Sequence, residues 1–238
     1  MLQISYLTRP ILLFLCVFLS AYKLPAEFII KKMAQARIDA AQQHTKALFD
    51  LQIKEHTESE TLEMTGELNF VDKTTTRILL RTQTGEELYQ WKNLKRIKSI
   101  HGSHVALMPE IDIWQMLFLP QEKDESALIQ NQMQFLKNLR ISLDGSRVRP
   151  FFGHHFAYLL EEPKSLANQP IASFFIDKDT YLPLQINEPV KDVAPVHLHQ
   201  WIIREYNQED KQQALPLVIE HLVDDRVYQT ILVRTRHL

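Results

Sequence analysis

The pattern of apolar and polar positions changes character several times along this chain. It opens with one unbroken apolar run, Ile11–Tyr22 (ILLFLCVFLSAY), preceded by Arg9 and followed by Lys23. As a helix, twelve residues would span only about 18 Å, short of a ~30 Å hydrocarbon core. A basic start and a short apolar centre form the pattern of a secretory signal, which predicts export. Ala21 and Ala26 are the candidate last residues of a cleaved signal, and both have leucine at −3 (Leu19 and Leu24). Residues 1–23 are therefore read as a signal peptide or an N-terminal anchor. A helical stripe follows: Pro25 opens it, Glu27 sits in its first turn, and Ala26, Ile29, Ile30, Met33, Ala36 and Ala40 recur on one face.

The period then shortens to two. Ala47, Phe49, Leu51 and Ile53 alternate with Lys46, Asp50, Gln52 and Lys54, with Leu48 out of phase. Leu62, Met64, Gly66, Leu68 and Phe70 alternate more cleanly with Thr61, Glu63, Thr65, Glu67 and Asn69. Such alternation predicts antiparallel strands with one buried and one wet face. Thr76–Thr82 and Glu87–Lys92 continue the series, with turns at Asp72-Lys73 and Thr84-Gly85.

Between Pro109 and Pro120 the pattern becomes IDIWQMLFL, with Trp114, Leu117 and Phe118 on one helical face. A second helical stretch, Glu125–Leu139, follows Asp124 as a candidate N-cap, and Asp144-Gly145 turns the chain back to strands. Phe151–Glu161, Ile171–Ile176, Tyr181–Ile186, Val196–Tyr206, Leu215–Val223 and Val227–Thr235 read as the remaining strands. Asp177-Lys178-Asp179-Thr180 and Asp224-Asp225 supply turn chemistry between them. The sum is an α+β domain over residues 24–238. It is a strongly curved antiparallel sheet of roughly ten strands, since a sheet that wide curls. An N-terminal helix and inserted helices lie on its concave side.

Composition narrows the chemistry. With 27 basic and 29 acidic residues the net charge is −2, so no bulk field favours nucleic acid. The single cysteine, Cys16, lies inside the apolar run behind Leu15 and Phe14, the wrong context for lipid attachment, and the exported part has no disulfide. His197 and His199 stand two apart on a strand, a spacing suited to metal ligation, but no third ligand appears at fixed spacing. No GxSxG, HExxH or glycine-rich phosphate loop is present, so the chain reads as non-enzymatic, without cofactor or metal. Trp91 with Lys92, Lys95, Arg96 and Lys98 reads as a solvated loop or a protected strand edge.

LPAEFIIKKMAQA, TLEMTGELNF, FFIDKDTYLPLQI and LPLVIEHLVDDRVYQTILV, in that order with apolar helices inserted, resemble the Lol-type periplasmic lipoprotein carriers, the outer-membrane lipoprotein-sorting proteins. The hairpin carrying Asp177, Lys178, Asp179, Leu182 and Pro183 is the most specific of these segments, and the resemblance spans residues 24 to 235. It implies a half-closed antiparallel barrel that shelters acyl chains of a lipid or lipoprotein beneath a helical lid, without bond chemistry. Trp114, Leu117 and Phe118 would then line an apolar trough with Leu80, Trp91 and Phe175. The chain departs from the family after Phe70, where Lys73-Thr74-Thr75-Thr76-Arg77 lacks the proline that leads the corresponding stretch. Peripheral or transient membrane contact is expected of such a carrier; the alternative on the same scaffold is an envelope protein-partner or sensor module, held to the membrane by an uncleaved N-terminus.

Overall fold

A computed structural model of the chain describes residues 24–43, 48–72, 75–83, 85–92, 95–100, 103–105, 125–152, 155–163, 170–190, 196–206 and 215–236. Two helices are described, α1 (Ala26–Gln43) and α2 (Glu125–Asn138). The first strands are β1 (Leu48–His56), β2 (Thr61–Asp72), β3 (Thr75–Thr82), β4 (Gly85–Lys92), β5 (Lys95–Ile100) and β6 (Ser103–Val105). After α2 come β7 (Arg147–Phe151), β8 (His155–Glu161), β9 (Ser173–Asp177), β10 (Pro183–Val190), β11 (His197–Tyr206), β12 (Pro216–Val223) and β13 (Arg226–Thr235).

These strands form one sheet in the order β6-β5-β4-β3-β2-β1-β13-β12-β11-β10-β9-β8-β7. Each strand pairs antiparallel with its sequence neighbour, apart from the β1–β13 closure that joins the two runs. Among the described residues β6 and β7 do not pair with each other, so the sheet is open. Register keeps one face apolar across its width. Phe49, Leu51 and Ile53 stand opposite Thr235, Val233 and Ile231, and opposite Leu68, Gly66 and Met64 on the other side. The row continues through Ile219, Ile203, Ile186, Phe174 and Leu160. A slip of one residue would turn this whole row to solvent, which is what fixes the register.

Both helices pack on this inner face. Ala26, Ile29, Ile30 and Met33 of α1 share one core with residues from Leu80 on β3 to Leu160 on β8, and Leu136 of α2 joins it. In order along the sheet, β3 and β8 are eight strands apart. At 4.7–4.9 Å per strand a flat sheet would hold them nearly 40 Å from each other. Two helices cover that span because the sheet curves around them. Each fully buried side chain contributes about 1.5–3 kcal/mol of apolar transfer.

Local chemistry sets the element ends. The Phe28 and Ile29 N–H groups donate to the Pro25 carbonyl at 3.1 and 3.4 Å, starting α1. Helix α2 ends with Arg140 at φ 60°, the Ile141 N–H on the Leu136 carbonyl and the Arg140 N–H on the Lys137 carbonyl, both at 2.9 Å. That is a Schellman end, and Leu136 and Ile141 are both buried as its hydrophobic contact. The Asp177–Leu182 turn is held by one carboxylate: Asp177 Oδ1 accepts from the N–H groups of Asp179 (2.9 Å) and Thr180 (2.7 Å) and from the Thr180 hydroxyl (2.9 Å). The segment most specific to the family resemblance thus serves to close this loop.

Several expectations change. The basic segment after Trp91 is strand β5, second from the sheet edge among the described residues, and the described sheet has thirteen strands rather than ten. Phe151–Glu161 is two strands' worth of chain, because Phe152, at φ 27°, ends β7 and β8 begins at His155. On α1, Ala34 is buried and Ala36 only half-buried, so the buried stripe turns slightly along the helix. Glu67 is not an idle outer-face carboxylate. It pairs with Arg81 at 3.2 Å and Arg236 at 3.3 Å, and Arg236 also engages Asp50. Those two guanidinium groups hold the Glu67 carboxyl below its ordinary pKa.

Candidate functional site

The inner face is apolar in the middle and polar at one end. Its apolar part runs from Ile78 and Leu80 through Leu68, Phe70, Phe49 and Leu51 to Ile186, Phe174 and Leu160. Tyr89, whose hydroxyl donates to Glu87 Oε2 at 2.7 Å, packs against this core from β4. On the β8–β10 side, Tyr158 stacks with Tyr181 at 5.8 Å and 22°. Burial beside Tyr181 raises the Tyr158 hydroxyl pKa to about 12. The Tyr206 hydroxyl donates to the Pro183 carbonyl. Desolvation raises the Tyr206 pKa and lowers that of the nearby Arg37 of α1 to about 10.

Helix α2 presents Leu128, Gln132 and Leu136 as its buried stripe. Gln132 is 1% exposed, yet neither its amide nitrogen nor its amide oxygen has a partner among the described residues. A buried amide without hydrogen bonds costs about 1–3 kcal/mol. The helix is therefore seated less firmly than an all-leucine stripe would seat it. Across the sheet, the Thr76 hydroxyl on β3 is also buried and unpaired among the described residues.

At the polar end, β11, β12 and β13 bring together groups that are far apart in sequence. His221 stacks flat on Trp201 at 3.9 Å, and its Nε2 lies 3.0 Å from Nδ1 of His199. An N–H of one imidazole donates to the other's lone pair. Tyr228 sits where the β12–β13 register slips, and its ring meets His221 edge-on at 5.4 Å. Its hydroxyl donates to Glu55 at 2.6 Å. Farther out, Asp224 holds His197 Nδ1 at 2.6 Å and accepts the Leu198 N–H at 2.8 Å. Desolvation, reinforced by His199, pushes the His221 pKa down to about 4. His197 and His199 do share a face, as their spacing predicts. Among the described residues no group of three histidine, cysteine or acidic side chains could hold a metal.

The sequence-derived trough residues fare unevenly. Leu80 is 8% exposed and lies on the inner face beneath the helices. Trp91 stands opposite Thr76 in the β3–β4 register, and its side chain lies outside the described residues. Trp114, Leu117 and Phe118 also lie outside them. Phe175 is corrected: its neighbours Phe174 and Ile176 take the inner face, so period two turns Phe175 outward, 5.3 Å from Phe151. Two consecutive phenylalanines leave the facing ambiguous in sequence, and only the pairing of Phe174 with Leu160 and Ile186 decides it. Sequence reasoning missed Trp201, Tyr158 and Gln132. The alternation His197, His199, Trp201, Ile203 was a usable signal for Trp201; the buried position of Gln132 had none.

On the outer side, an open cleft of about 330 Å³ between the approach to β7 and the end of β8 is lined by Ser142, Asp144, Arg147, Glu161 and Glu162 among others. Arg147 and Glu161 pair across it at 3.1 Å, so it does not shelter an apolar chain. No helix among the described residues is long and apolar enough to cross a membrane.

No family model matches the sequence, and no curated protein does. Solved structures do match in fold. A LolA superfamily protein from Nitrosomonas europaea superposes with a TM-score of 0.50 at 6% identity, over 90% of this chain and 95% of that one. A domain described as an outer membrane lipoprotein-sorting protein, from Vibrio parahaemolyticus, superposes with a TM-score of 0.50 at 11% identity, over 87% of this chain and 90% of that one. At such identities the likeness is one of architecture. The curved open sheet with helices on its inner face is a LolA-like fold.

Proposed function

We propose that this protein is an exported, non-enzymatic carrier that shelters acyl chains of a lipid or lipoprotein against the inner face of its sheet. One observation carries the reading: a continuous apolar inner face beneath two helices, one of which buries the amide of Gln132 without a partner among the described residues. Carriers must release as well as bind, so the empty, closed state has to compete with the loaded one. Each buried methylene gains about 0.8 kcal/mol, and a few side chains of helix packing are a comparable counterweight. The similarity of fold to lipoprotein-sorting structures supports the same reading.

In this proposal residues 1–23 direct export to the periplasm or cell envelope, and residues 24–238 form the carrier domain. Trp114, Leu117 and Phe118 belong to the lid, with Leu80 and Trp91 beneath it. Binding needs no cofactor or metal. Native mass spectrometry of the protein purified from its own envelope tests the idea. The expected spectrum contains adducts with the masses of acyl-bearing molecules, removed by delipidation and restored by a fatty-acyl ligand. A bare chain that also refuses that ligand while folded overturns it.

A further inference from the structure

The β7–β8 edge is unusual among the described surfaces. Val148 is 48% exposed, Phe152 60% and Phe156 52%, three of the most exposed large apolar side chains. Val148 stands opposite Tyr158 and Pro150 opposite Phe156. Val148 and Phe156 therefore carry the inner face's apolar row to the open edge, and Phe152 flanks that edge from the outer side, 4.6 Å from Phe151. Cations surround them. Arg147 and Arg149 alternate with Val148 along β7, and Lys178 is tied to Phe156 through its backbone N–H, 3.0 Å from the Phe156 carbonyl. The Arg204 guanidinium lies 5.2 Å from the centre of the Phe152 ring. Arg147 and Arg204 have carboxylate partners in Glu161 and Glu220, whereas Arg149 makes no ion pair among the described residues.

A second observation is independent of the first. The chain that follows the apolar run Ile11–Tyr22 reaches the fold at this same edge. The backbone N–H and hydroxyl of Ser146, the residue before β7, both donate to the Leu24 carbonyl, at 3.2 and 3.1 Å. One turn later Phe28 is 41% exposed, with Lys32 Nζ 5.9 Å over its ring.

We propose that the β7–β8 edge docks on an anionic bilayer surface, its phenylalanines at the interface and its arginines and lysine over the headgroups. The proposal rests on the acyl-carrier reading and gives that reading a place for cargo to pass between bilayer and sheet. Aromatic rings suit the headgroup level, and each cation near an anionic surface strengthens partition by about fivefold.

The test uses the full chain with Cys16→Ser and a solvatochromic fluorophore on Phe152→Cys, compared with the same label on Glu58→Cys in the exposed β1–β2 turn. Vesicles of equal parts phosphatidylcholine and phosphatidylglycerol should blue-shift the label at 152 and leave that at 58 unchanged. High salt should reverse the shift. Adding Arg149→Glu and Lys178→Glu should weaken partition more than tenfold while circular dichroism stays the same. No shift at 152, equal shifts at both sites, or an equal response to pure phosphatidylcholine vesicles would overturn the proposal. So would a shift produced by a solubilised envelope protein and not by vesicles. A fatty-acyl titration of the same labelled chain separates the two ideas: acyl binding without a vesicle response leaves the carrier reading standing and removes only the docking edge.

Discussion

The imidazole of His221 lies flat against the indole of Trp201, centroids 3.9 Å apart and planes 4° apart, while its Nε2 faces His199 Nδ1 at 3.0 Å. This geometry requires at least one of the two imidazoles to be neutral. Two imidazolium rings would place donor against donor at hydrogen-bond distance. Glu188 stands opposite His199 in the β10–β11 register, and Glu55 reaches the cluster through Tyr228. On the other side, the carboxylate of Asp224 is already engaged by His197.

Stability should therefore fall on acidification. The folded-state pKa of His221 is about 4, against an ordinary 6.5. Between those values the unfolded chain binds more protons than the folded one, so stability is full above about 6.5 and lost as pH falls toward 4. The loss from this group is up to about 3 kcal/mol. Denaturant titrations across this range should show the decline, and His221→Phe, which keeps the stack without the proton, should flatten it. An unchanged slope in that variant would assign the pH dependence elsewhere.

The strand faces provide a sharper check on packing. Leu68 is fully buried on the inner face, so Leu68→Ala should cost about 2–5 kcal/mol. Gly66→Ala should also destabilise, because a Cβ there would lie 2.4 Å from the Leu79 carbonyl oxygen, a backbone atom that cannot step aside alone. Glu67→Ala breaks two half-exposed ion pairs and should cost about 1 kcal/mol or less. Equilibrium unfolding of the three variants should rank them in those two groups.

Much of this architecture was legible because it is periodic. Alternation in TLEMTGELNF gives the inner and outer faces of β2 directly, and Asp224-Asp225 gives a two-residue turn whose residues both adopt positive φ, 49° and 64°. Where the period is silent, sequence fails. Phe174-Phe175 offers no alternation, so the sequence alone does not say which ring faces inward. Gln132 occupies a helical core position by geometry alone, between Leu128 and Leu136, and its polarity argues for the surface. The His221–Trp201 stack depends on which strands are neighbours, information that no single strand carries. Glu67 reads as a wet-face residue, which it is; its two arginine partners come from β3 and from the far C-terminus.

Export makes a separate prediction. If the N-terminal apolar run is a cleaved signal, the protein recovered from the envelope should begin at Tyr22 or Glu27, after cleavage behind Ala21 or Ala26. Intact-mass measurement decides among these. A chain that retains Met1 and remains in the cytoplasm would contradict both the localisation and the carrier proposal.

Lid seating is the quantity on which the proposed carrier turns, and Gln132 is the residue that tunes it. Gln132→Met keeps the length of the side chain and removes an amide that is buried without a partner among the described residues. The fold should gain about 1–3 kcal/mol, the cost of leaving that amide unpaired. If α2 must leave the inner face for an acyl chain to enter, the same energy now opposes loading. Acyl affinity should then fall by about tenfold for each 1.4 kcal/mol gained in stability. Thermal unfolding and acyl titration on one preparation measure both quantities. A stabilised variant with unchanged affinity would mean that α2 stays in place during binding, and a destabilised one would mean that Gln132 has a partner in the closed state.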